Sequence, residues 1–341
     1  MANLNELSWH DVSGLELEGK GWSETAHRYD RLPARAKGVV REPVWNLSLN
    51  SAGLCLRFVT DSPAVAADWK LRSTNLAMDH MPATGVSGLD LYVRRGRAWH
   101  WLGVGRPTAQ TNRTFLVNDM PRARREYVLY LPLYNGIDSL LIGLTAGAKL
   151  RNAPARARRA ARPICFYGTS ITNGGCASRP GMAYPAILGR RLNRSIVNLG
   201  FSGNGLMEPE MAALLAELDP SVYVLDPLPN LQPAQVAERI AHAVRTLRAA
   251  RPKTPIVLVE SITYQDGFLV ESRRARYTGS NKALRELHRR LVAEGITGLH
   301  YAKGEGLLGP DGEATVDGTH PTDVGFLRIA DLLEPVLKPL V

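Results

Sequence analysis

Short apolar runs separated by turn residues fill the first half of the chain. Between residues 15 and 147 these runs alternate with Gly, Pro, Asn and Asp, and helical periodicity is nearly absent. Many short strands at close spacing indicate a β-sandwich or jelly roll. The predicted strands include Val44–Leu49, Leu54–Thr60, Ala64–Leu71, Leu89–Val93, Ala98–Val104, Thr114–Val117, Tyr127–Leu131 and Ser139–Gly143.

The second half alternates strand-like and helix-like patterns. A stripe of apolar residues at helical spacing marks the third helix of this region, which begins at Pro233. Five β–α repeats predict a five-stranded parallel sheet with helices on both faces. The strands are predicted at Ile164–Tyr167, Ser195–Leu199, Val222–Leu225, Ile256–Glu260 and Gly298–Tyr301, and the helices at Met182–Leu192, Glu208–Leu218, Pro233–Ala250, Ser280–Glu294 and Thr322–Leu337.

The length of the chain indicates the number of domains, and a cluster of charges indicates where they are joined. A chain of 341 residues suggests two domains, and we place them at 1–150 and 163–341. The linker 151–162 carries five Arg in twelve residues and contributes to a net charge of +10. A polyanion-binding role for this cluster stays open, but no recognition module accompanies it, so we expect no nucleic-acid partner.

Three cysteines without CxxC spacing indicate neither a disulfide framework nor a metal site. The N-terminus has no basic segment followed by an apolar one, so we expect a cytoplasmic protein. No apolar run approaches the roughly 18–20 residues that a membrane helix needs, so we expect no membrane partner. The sequence carries no information on oligomeric state.

The first candidate for chemistry is Ser170, which follows the predicted strand Ile164–Tyr167 and a Gly-Thr turn. Open α/β sheets place ligands at the carboxyl ends of their strands. A helix that follows such a strand presents unpaired N–H groups to a developing negative charge. Ser170 is therefore the predicted nucleophile.

Three further motifs lie at or near the carboxyl ends of later strands. The Gly-rich loop at residues 198–205 lets backbone N–H groups approach a ligand closely, and one of these groups can serve as an oxyanion donor. A turn with two prolines fixes the amide of Asn230. Near the C-terminus, Asp317 precedes His320 by three residues, a spacing at which the carboxylate can accept from Nδ1–H and leave Nε2 as a base.

Each motif alone is better explained by an ordinary turn, a neighbour of a helix N-cap or a surface residue, and only their ordered combination favours catalysis. Two residues are predicted to line the substrate cleft. His80 lies in a polar loop of the first half, and Tyr264 follows the fourth strand of the second half.

Residues 163–338 resemble the SGNH (GDSL-like) hydrolase superfamily. The matching positions are Gly168-Thr169-Ser170, Gly203, Asn230, and Asp317 with His320. Thr169 stands where the family usually has Asp. The segment Gly88–Tyr92 resembles the Gly-x-Asp-Leu-Tyr signature of a β-sandwich that precedes one SGNH subgroup.

The resemblance implies a flavodoxin-like α/β hydrolase domain after a jelly-roll-like domain. It also implies a catalytic triad of Ser170, Asp317 and His320, an oxyanion hole of Ser170, Gly203 and Asn230, and no cofactor. We expect a serine esterase acting through an acyl-enzyme, most simply on an O-acetyl group of a carbohydrate or glycoside. A lipase or thioesterase acting on a non-sugar ester, and a non-catalytic carbohydrate-binding protein, remain alternatives.

Overall fold

A computed structural model describes residues 3–157 and 160–341. Arg158 and Arg159 of the predicted linker lie outside the described residues. Among the described helices, none has both the length and the apolar character needed to cross a bilayer.

The first half of the chain forms two antiparallel sheets, as the sequence predicts. Over the described residues, one sheet has the order β1-β9-β4-β7 and the other has the order β10-β3-β8-β5-β6, with β2 beside β3. The strands are β1 (Leu7–Asp11), β2 (Leu17–Glu18), β3 (Cys55–Thr60), β4 (Val65–Leu71), β5 (Leu89–Arg95), β6 (Ala98–Gly105), β7 (Thr111–Val117), β8 (Arg125–Tyr130), β9 (Ile137–Thr145) and β10 (Arg151–Asn152).

Alternate residues of these strands build the core between the two sheets. Val65, Ala67 and Trp69 of β4 pack in one apolar cluster with Leu56 and Phe58 of β3. Side chains two residues apart point to the same face of a strand, so each sheet contributes one apolar face. The first half is therefore a β-sandwich.

Two α-helices interrupt the described part of the first half, α1 (Glu42–Ser48) and α2 (Ala83–Val86). The predicted strand Val44–Leu49 is therefore wrong. Pro43 lies in the first turn of α1, where its missing N–H is not needed. Val44 and Trp45 of α1 pack against the α/β sheet instead of the sandwich core.

The second half forms the predicted parallel sheet, with order β12-β11-β13-β14-β15 in the described residues. Its strands are β11 (Ile164–Gly168), β12 (Ile196–Gly200), β13 (Val222–Asp226), β14 (Ile256–Val259) and β15 (Leu299–Ala302). The helices are α3 (Ser170–Asn173), α4 (Tyr184–Arg191), α5 (Pro209–Glu217), α6 (Pro233–Ala250), α7 (Glu271–Ala293) and α8 (Asp323–Leu337).

Helices cover both faces of this sheet. Cys165 and Tyr167 of β11 lie in the cluster that includes residues of α5, α6 and α7. Ile164 and Phe166 lie in the opposite cluster, with residues of α4 and α8. The sheet reverses its strand order beside β11, and ligands in doubly wound folds bind at this switch point.

Asp90 of β5 joins the sandwich to the α/β half. Its side chain is fully buried and accepts hydrogen bonds from Arg179 (2.8 Å), the Gly181 N–H (2.8 Å) and Trp101 (3.0 Å). Burial raises the pKa of Asp90, and the Arg179 guanidinium opposes that rise. This carboxylate is the Asp of the Gly-x-Asp-Leu-Tyr segment, which therefore has an identifiable structural role at the interface.

Candidate active site

Ser170 lies at the switch point of the parallel sheet, as the first residue of α3. Thr169 precedes it as the N-cap and accepts a hydrogen bond from the Ile171 N–H at 3.2 Å. Thr172 completes a capping box with Thr169. The N–H of Ser170, at the first helical position, has no acceptor within the helix. The local sequence therefore places Ser170 at the start of α3, where its N–H makes no hydrogen bond within the helix.

A chain of two hydrogen bonds joins Ser170 to Asp317. The Ser170 Oγ is 2.8 Å from Nε2 of His320. The His320 Nδ1 is 2.7 Å from Oδ2 of Asp317. Ser170 and His320 are 150 positions apart in the sequence. The fold nevertheless brings the three predicted residues together in one hydrogen-bonded chain.

The ionisation of Asp317 assigns the direction of these hydrogen bonds. Burial alone raises the pKa of Asp317, but hydrogen bonds from the backbone and ring of His320 and from the Thr319 N–H outweigh it and lower the pKa to about 2. An ionised carboxylate can only accept, so the His320 Nδ1–H donates to it. Nε2 then holds a lone pair that can accept from the Ser170 hydroxyl.

The loop that carries Asp317 and His320 is braced from the neighbouring loop and from α7. The Gln265 N–H donates to the Gly318 carbonyl at 2.9 Å. Arg273 of α7 donates to Thr319 Oγ1 at 2.5 Å and also pairs with Asp266. The position of His320 is therefore held by contacts outside its own segment.

The predicted oxyanion residues Gly203 and Asn230 line the same cavity as Ser170 and His320. Gly203 has φ +67°, a left-handed conformation that favours glycine. When the Asn230 amide is oriented to satisfy its neighbours, its oxygen accepts from the N–H groups of Gly205 (3.1 Å) and Asn204 (3.2 Å). In that orientation the amide NH₂ faces hydrogen-bond acceptors instead of donors.

The cavity has a volume of about 530 Å³, within the range typical of small-molecule sites. Tyr264, one of the two predicted substrate-cleft residues, is buried and forms part of its wall. The sequence prediction missed the other lining residues, which are Ser202, Pro229, Ser272, Arg273, Arg276 and Thr319. Ser272, Arg273 and Arg276 lie on the first turns of α7, which carry no apolar stripe.

His80, the other predicted substrate-cleft residue, is exposed and lies beside the hydrogen-bonded chain. Its ring centroid is 5.6 Å from that of His320, in an edge-on arrangement. The structure brings His80 next to His320 but does not place it among the residues that line the cavity.

His80, Cys176 and His320 are a group in the described residues whose possible metal-ligating atoms all lie within 4.8 Å of one another. Both ring nitrogens of His320 already take part in the contacts with Ser170 and Asp317. A metal bound through His320 would therefore have to displace one of these contacts. Burial also raises the pKa of the Cys176 thiol to about 12, which disfavours the thiolate that metals prefer.

The buried carboxyl of Asp226 lies next to the turn that carries Ser170. Asp226, at the end of β13, accepts hydrogen bonds from Thr172 (3.2 Å) and from the Tyr184 hydroxyl (3.0 Å). Burial raises the pKa of Asp226 to about 7, and these two hydrogen bonds oppose the rise. Asp226 is not among the residues that line the cavity. Its hydrogen bond with Thr172 joins α3 to the end of β13.

Two family models match the chain. Residues 161–338 match the GDSL-like lipase/acylhydrolase family. Residues 7–150 match the model GxDLY, the N-terminus of esterases of the SGNH-hydrolase type. No curated protein matches the chain significantly.

Solved structures are similar over the whole chain. A structure described as a GDSL-like lipase from Bacteroides ovatus is 35% identical, covers 98% of both chains and has a TM-score of 0.92. A salicylyl-acyltransferase from a tetracycline biosynthetic pathway is 19% identical, with 100% of this chain and 98% of that chain covered and a TM-score of 0.78. A family two carbohydrate esterase from Clostridium thermocellum in complex with cellohexaose is 17% identical, with 84% and 92% covered and a TM-score of 0.60. At such low identities the last two show a shared fold.

Proposed function

The chain belongs to the GDSL-like lipase/acylhydrolase family, and from this membership we propose that it is a serine esterase that hydrolyses a carboxylic ester through an acyl-enzyme on Ser170. The observation that carries the proposal is the hydrogen-bonded chain from Ser170 through His320 to Asp317, whose Ser170 and His320 line a cavity together with Gly203 and Asn230. A nucleophile, its base and an orienting carboxylate are the components that acyl transfer to serine requires.

In the acylation step the Ser170 Oγ attacks the ester carbonyl while His320 Nε2 takes the hydroxyl proton. The Asp317 carboxylate stabilises the imidazolium that forms. The oxyanion receives hydrogen bonds from the N–H groups of Ser170 and Gly203 and from the Asn230 amide. Loss of one such donor typically lowers kcat about 10²–10³-fold. His320 then gives its proton to the departing alcohol.

In the deacylation step water attacks the acyl-enzyme, and His320 accepts its proton as it did from Ser170. Collapse of the second tetrahedral intermediate releases the acid and returns the proton to Ser170 Oγ. In this proposal His320 is the group that accepts and returns the proton in both steps.

The proposed substrate is an O-acetyl group on a carbohydrate or glycoside. Hydroxyl, guanidinium and amide groups line most of the cavity, which suits a polyhydroxylated alcohol better than an acyl chain. The fold is shared with the carbohydrate esterase in complex with cellohexaose, which supports the proposal as an analogy of fold.

One observation favours the alternative of a non-sugar acyl substrate. Phe268 and Leu269 are 75% and 78% exposed and precede Ser272, which lines the cavity. Phe268 lines a second cavity, which shares Tyr264 with the cavity at Ser170. Exposed apolar side chains at such a place can contact an acyl chain or an aglycone.

A panel of substrates tests both candidates. Acetylated methyl glycosides, 4-nitrophenyl esters of short and long acids, and acyl thioesters are offered to the wild type, Ser170→Ala and the matched surface control Ser23→Ala. We expect the highest kcat/KM on an acetylated glycoside, and a loss of about 10³-fold or more in Ser170→Ala but not in Ser23→Ala. A preference for long-chain esters or thioesters would replace the carbohydrate proposal with the alternative.

A further inference from the structure

The cavity beside Ser170 carries positive charge without a matching carboxylate in its wall. Among the described residues that line it, Arg273 and Arg276 are charged and no Asp or Glu is present. Arg273 is neutralised by Asp266, which lies 2.6 Å away. Arg276 is therefore the group whose charge is uncompensated.

Arg276 uses little of its hydrogen-bonding capacity. Its Nη2 donates to the Pro229 carbonyl at 2.8 Å. Its Nε is buried and has no acceptor, and no ion pair to Arg276 occurs among the described residues. The side chain is half-buried. A guanidinium has five N–H donors. When it is partly desolvated and has no anionic partner, the cost of its desolvation is not offset by an ion pair.

An anion that offers two oxygens side by side is the ligand that such a group recognises best. Guanidinium groups bind carboxylates and phosphates through paired hydrogen bonds that are stronger than neutral ones. The excess of 42 Lys and Arg over 32 Asp and Glu also attracts anions to the molecule as a whole. The local and the global charge thus favour the same class of substrate.

We propose that Arg276 binds an anionic group, most simply a carboxylate, on the same molecule whose ester is cleaved at Ser170. This inference rests on the esterase function proposed above. The anion can belong to either side of the ester. On the alcohol side the substrate is an acylated sugar acid, which agrees with the O-acetyl substrate proposed above. On the acyl side it is a half-ester of a dicarboxylic acid, whose acyl group would take the place of the acetyl group in that proposal.

Two matched substrate pairs distinguish these sources. Methyl hydrogen glutarate and methyl 4-carbamoylbutanoate differ only in a carboxylate or a neutral amide on the acyl side. An O-acetylated methyl glucuronoside and the corresponding O-acetylated methyl glucoside differ in a carboxylate or a neutral hydroxymethyl group on the alcohol side. Release of methanol or acetate gives kcat/KM for each member.

We expect the wild type to prefer the anionic member of one pair by about tenfold or more, a difference of about 1.4 kcal/mol. In Arg276→Gln, kcat/KM is expected to fall about tenfold further on the anionic member than on its neutral partner. Arg276→Lys retains part of the preference because it keeps the charge. Arg289→Gln, which removes an exposed charge from the same helix, retains all of it.

Two results would overturn the inference. One is a wild type with no preference for the anion in either pair. The other is an Arg276→Gln variant that loses activity equally on both members, since that would show that Arg276 only holds the Pro229 turn beside Asn230. Hydrolysis of 4-nitrophenyl acetate by the same wild-type preparation reports the esterase function separately, and its absence would remove the premise itself.

Discussion

Asp226 and Thr169 show how single residues prepare the turn that carries Ser170. Thr169 stands where the family resemblance leads one to expect Asp, yet its hydroxyl still caps α3 by accepting from the Ile171 N–H. Asp226 lies at the end of β13, and its buried carboxyl accepts hydrogen bonds from Thr172 and Tyr184. Thr169 and Asp226, which do not line the cavity, therefore both form hydrogen bonds that hold the turn.

Asp226 predicts a specific dependence of stability on pH. Its folded pKa is raised to about 7, whereas an aspartate in an unfolded chain titrates near 3.9. Between about pH 4 and pH 7 the folded state therefore holds a proton that the unfolded state has lost. Raising the pH through this window destabilises the fold, because the folded state must give up that proton.

The variant Asp226→Asn lacks this titration but can still accept from Thr172 and Tyr184. Its free energy of unfolding relative to the wild type should therefore rise as the pH goes from 5 to 8. Urea unfolding at four pH values measures the difference, and the exposed variant Asp219→Asn is the control. A difference that does not change with pH would show that Asp226 is not protonated in the fold.

At the residue scale, the sequence allowed prediction of those residues whose local motif indicates a chemical role. Ser170, Asp317 and His320 could be proposed because a strand-to-helix turn and an Asp-x-x-His segment have recognisable chemistry. Arg276 could not, because a lone arginine on a polar helical turn has the pattern of any solvated surface. Its environment depends on the Pro229 carbonyl, 47 positions away along the chain.

At the scale of elements, the α/β half was predictable because its strands are buried on both faces and its helices are amphipathic. Each predicted strand of the parallel sheet lies within about one residue of the observed one. The first nine residues of α7 escaped prediction, since the helix begins at Glu271 and not at Ser280. These turns carry charges and Gly279 in place of an apolar stripe, and their order depends on contacts such as that of Arg273 with Thr319.

The error at α1 has a related cause. The run Val44–Leu49 is apolar and short, and periodicity alone does not separate a buried helix turn from a strand in such a run. The packing of Val44 and Trp45 against the α/β sheet determines the outcome. Packing of this kind joins residues far apart in the chain, which a local pattern does not show.

At the scale of the whole molecule, the segment between β2 and β3 connects the two halves. Trp22, Leu32 and Trp45 from this segment share an apolar cluster with Leu199 and Phe201 of the α/β half. The sequence predicted two domains with a linker at 151–162, and that boundary stays a prediction. The apolar clusters show that the segment between β2 and β3 packs against the α/β half, although strands of the sandwich precede and follow it in the sequence.

Arg31 is the polar centre of this connection. It is buried and donates to the carbonyls of Asn198 (3.0 Å), Gly200 (2.9 Å), Asn50 (2.9 Å) and Leu47 (2.7 Å). Burial lowers the pKa of Arg31 to about 10, so the guanidinium remains charged at neutral pH. It thereby ties the end of β12, which leads to Gly203, to the segment that carries α1.

Replacing Arg31 by Met removes the donor to four carbonyls at once. We expect the free energy of unfolding to fall by about 3 kcal/mol or more, since buried acceptors without donors cost about 1–3 kcal/mol each. The control Arg35→Met removes an exposed ion pair with Glu217 and should cost less than about 1 kcal/mol. Urea unfolding followed by tryptophan fluorescence compares them, and equal losses would contradict the assigned role.

The central claim is that Ser170 is the nucleophile and that His320 activates it. The wild type is treated with a serine-reactive phosphonate, and intact-mass and peptide mass spectrometry locate the adduct. The account predicts one phosphonyl group per chain, on the peptide that contains Ser170, with parallel loss of esterase activity. Ser170→Ala and His320→Ala should remain unlabelled under the same conditions. An adduct on another residue, or full hydrolytic activity in Ser170→Ala, would contradict the account.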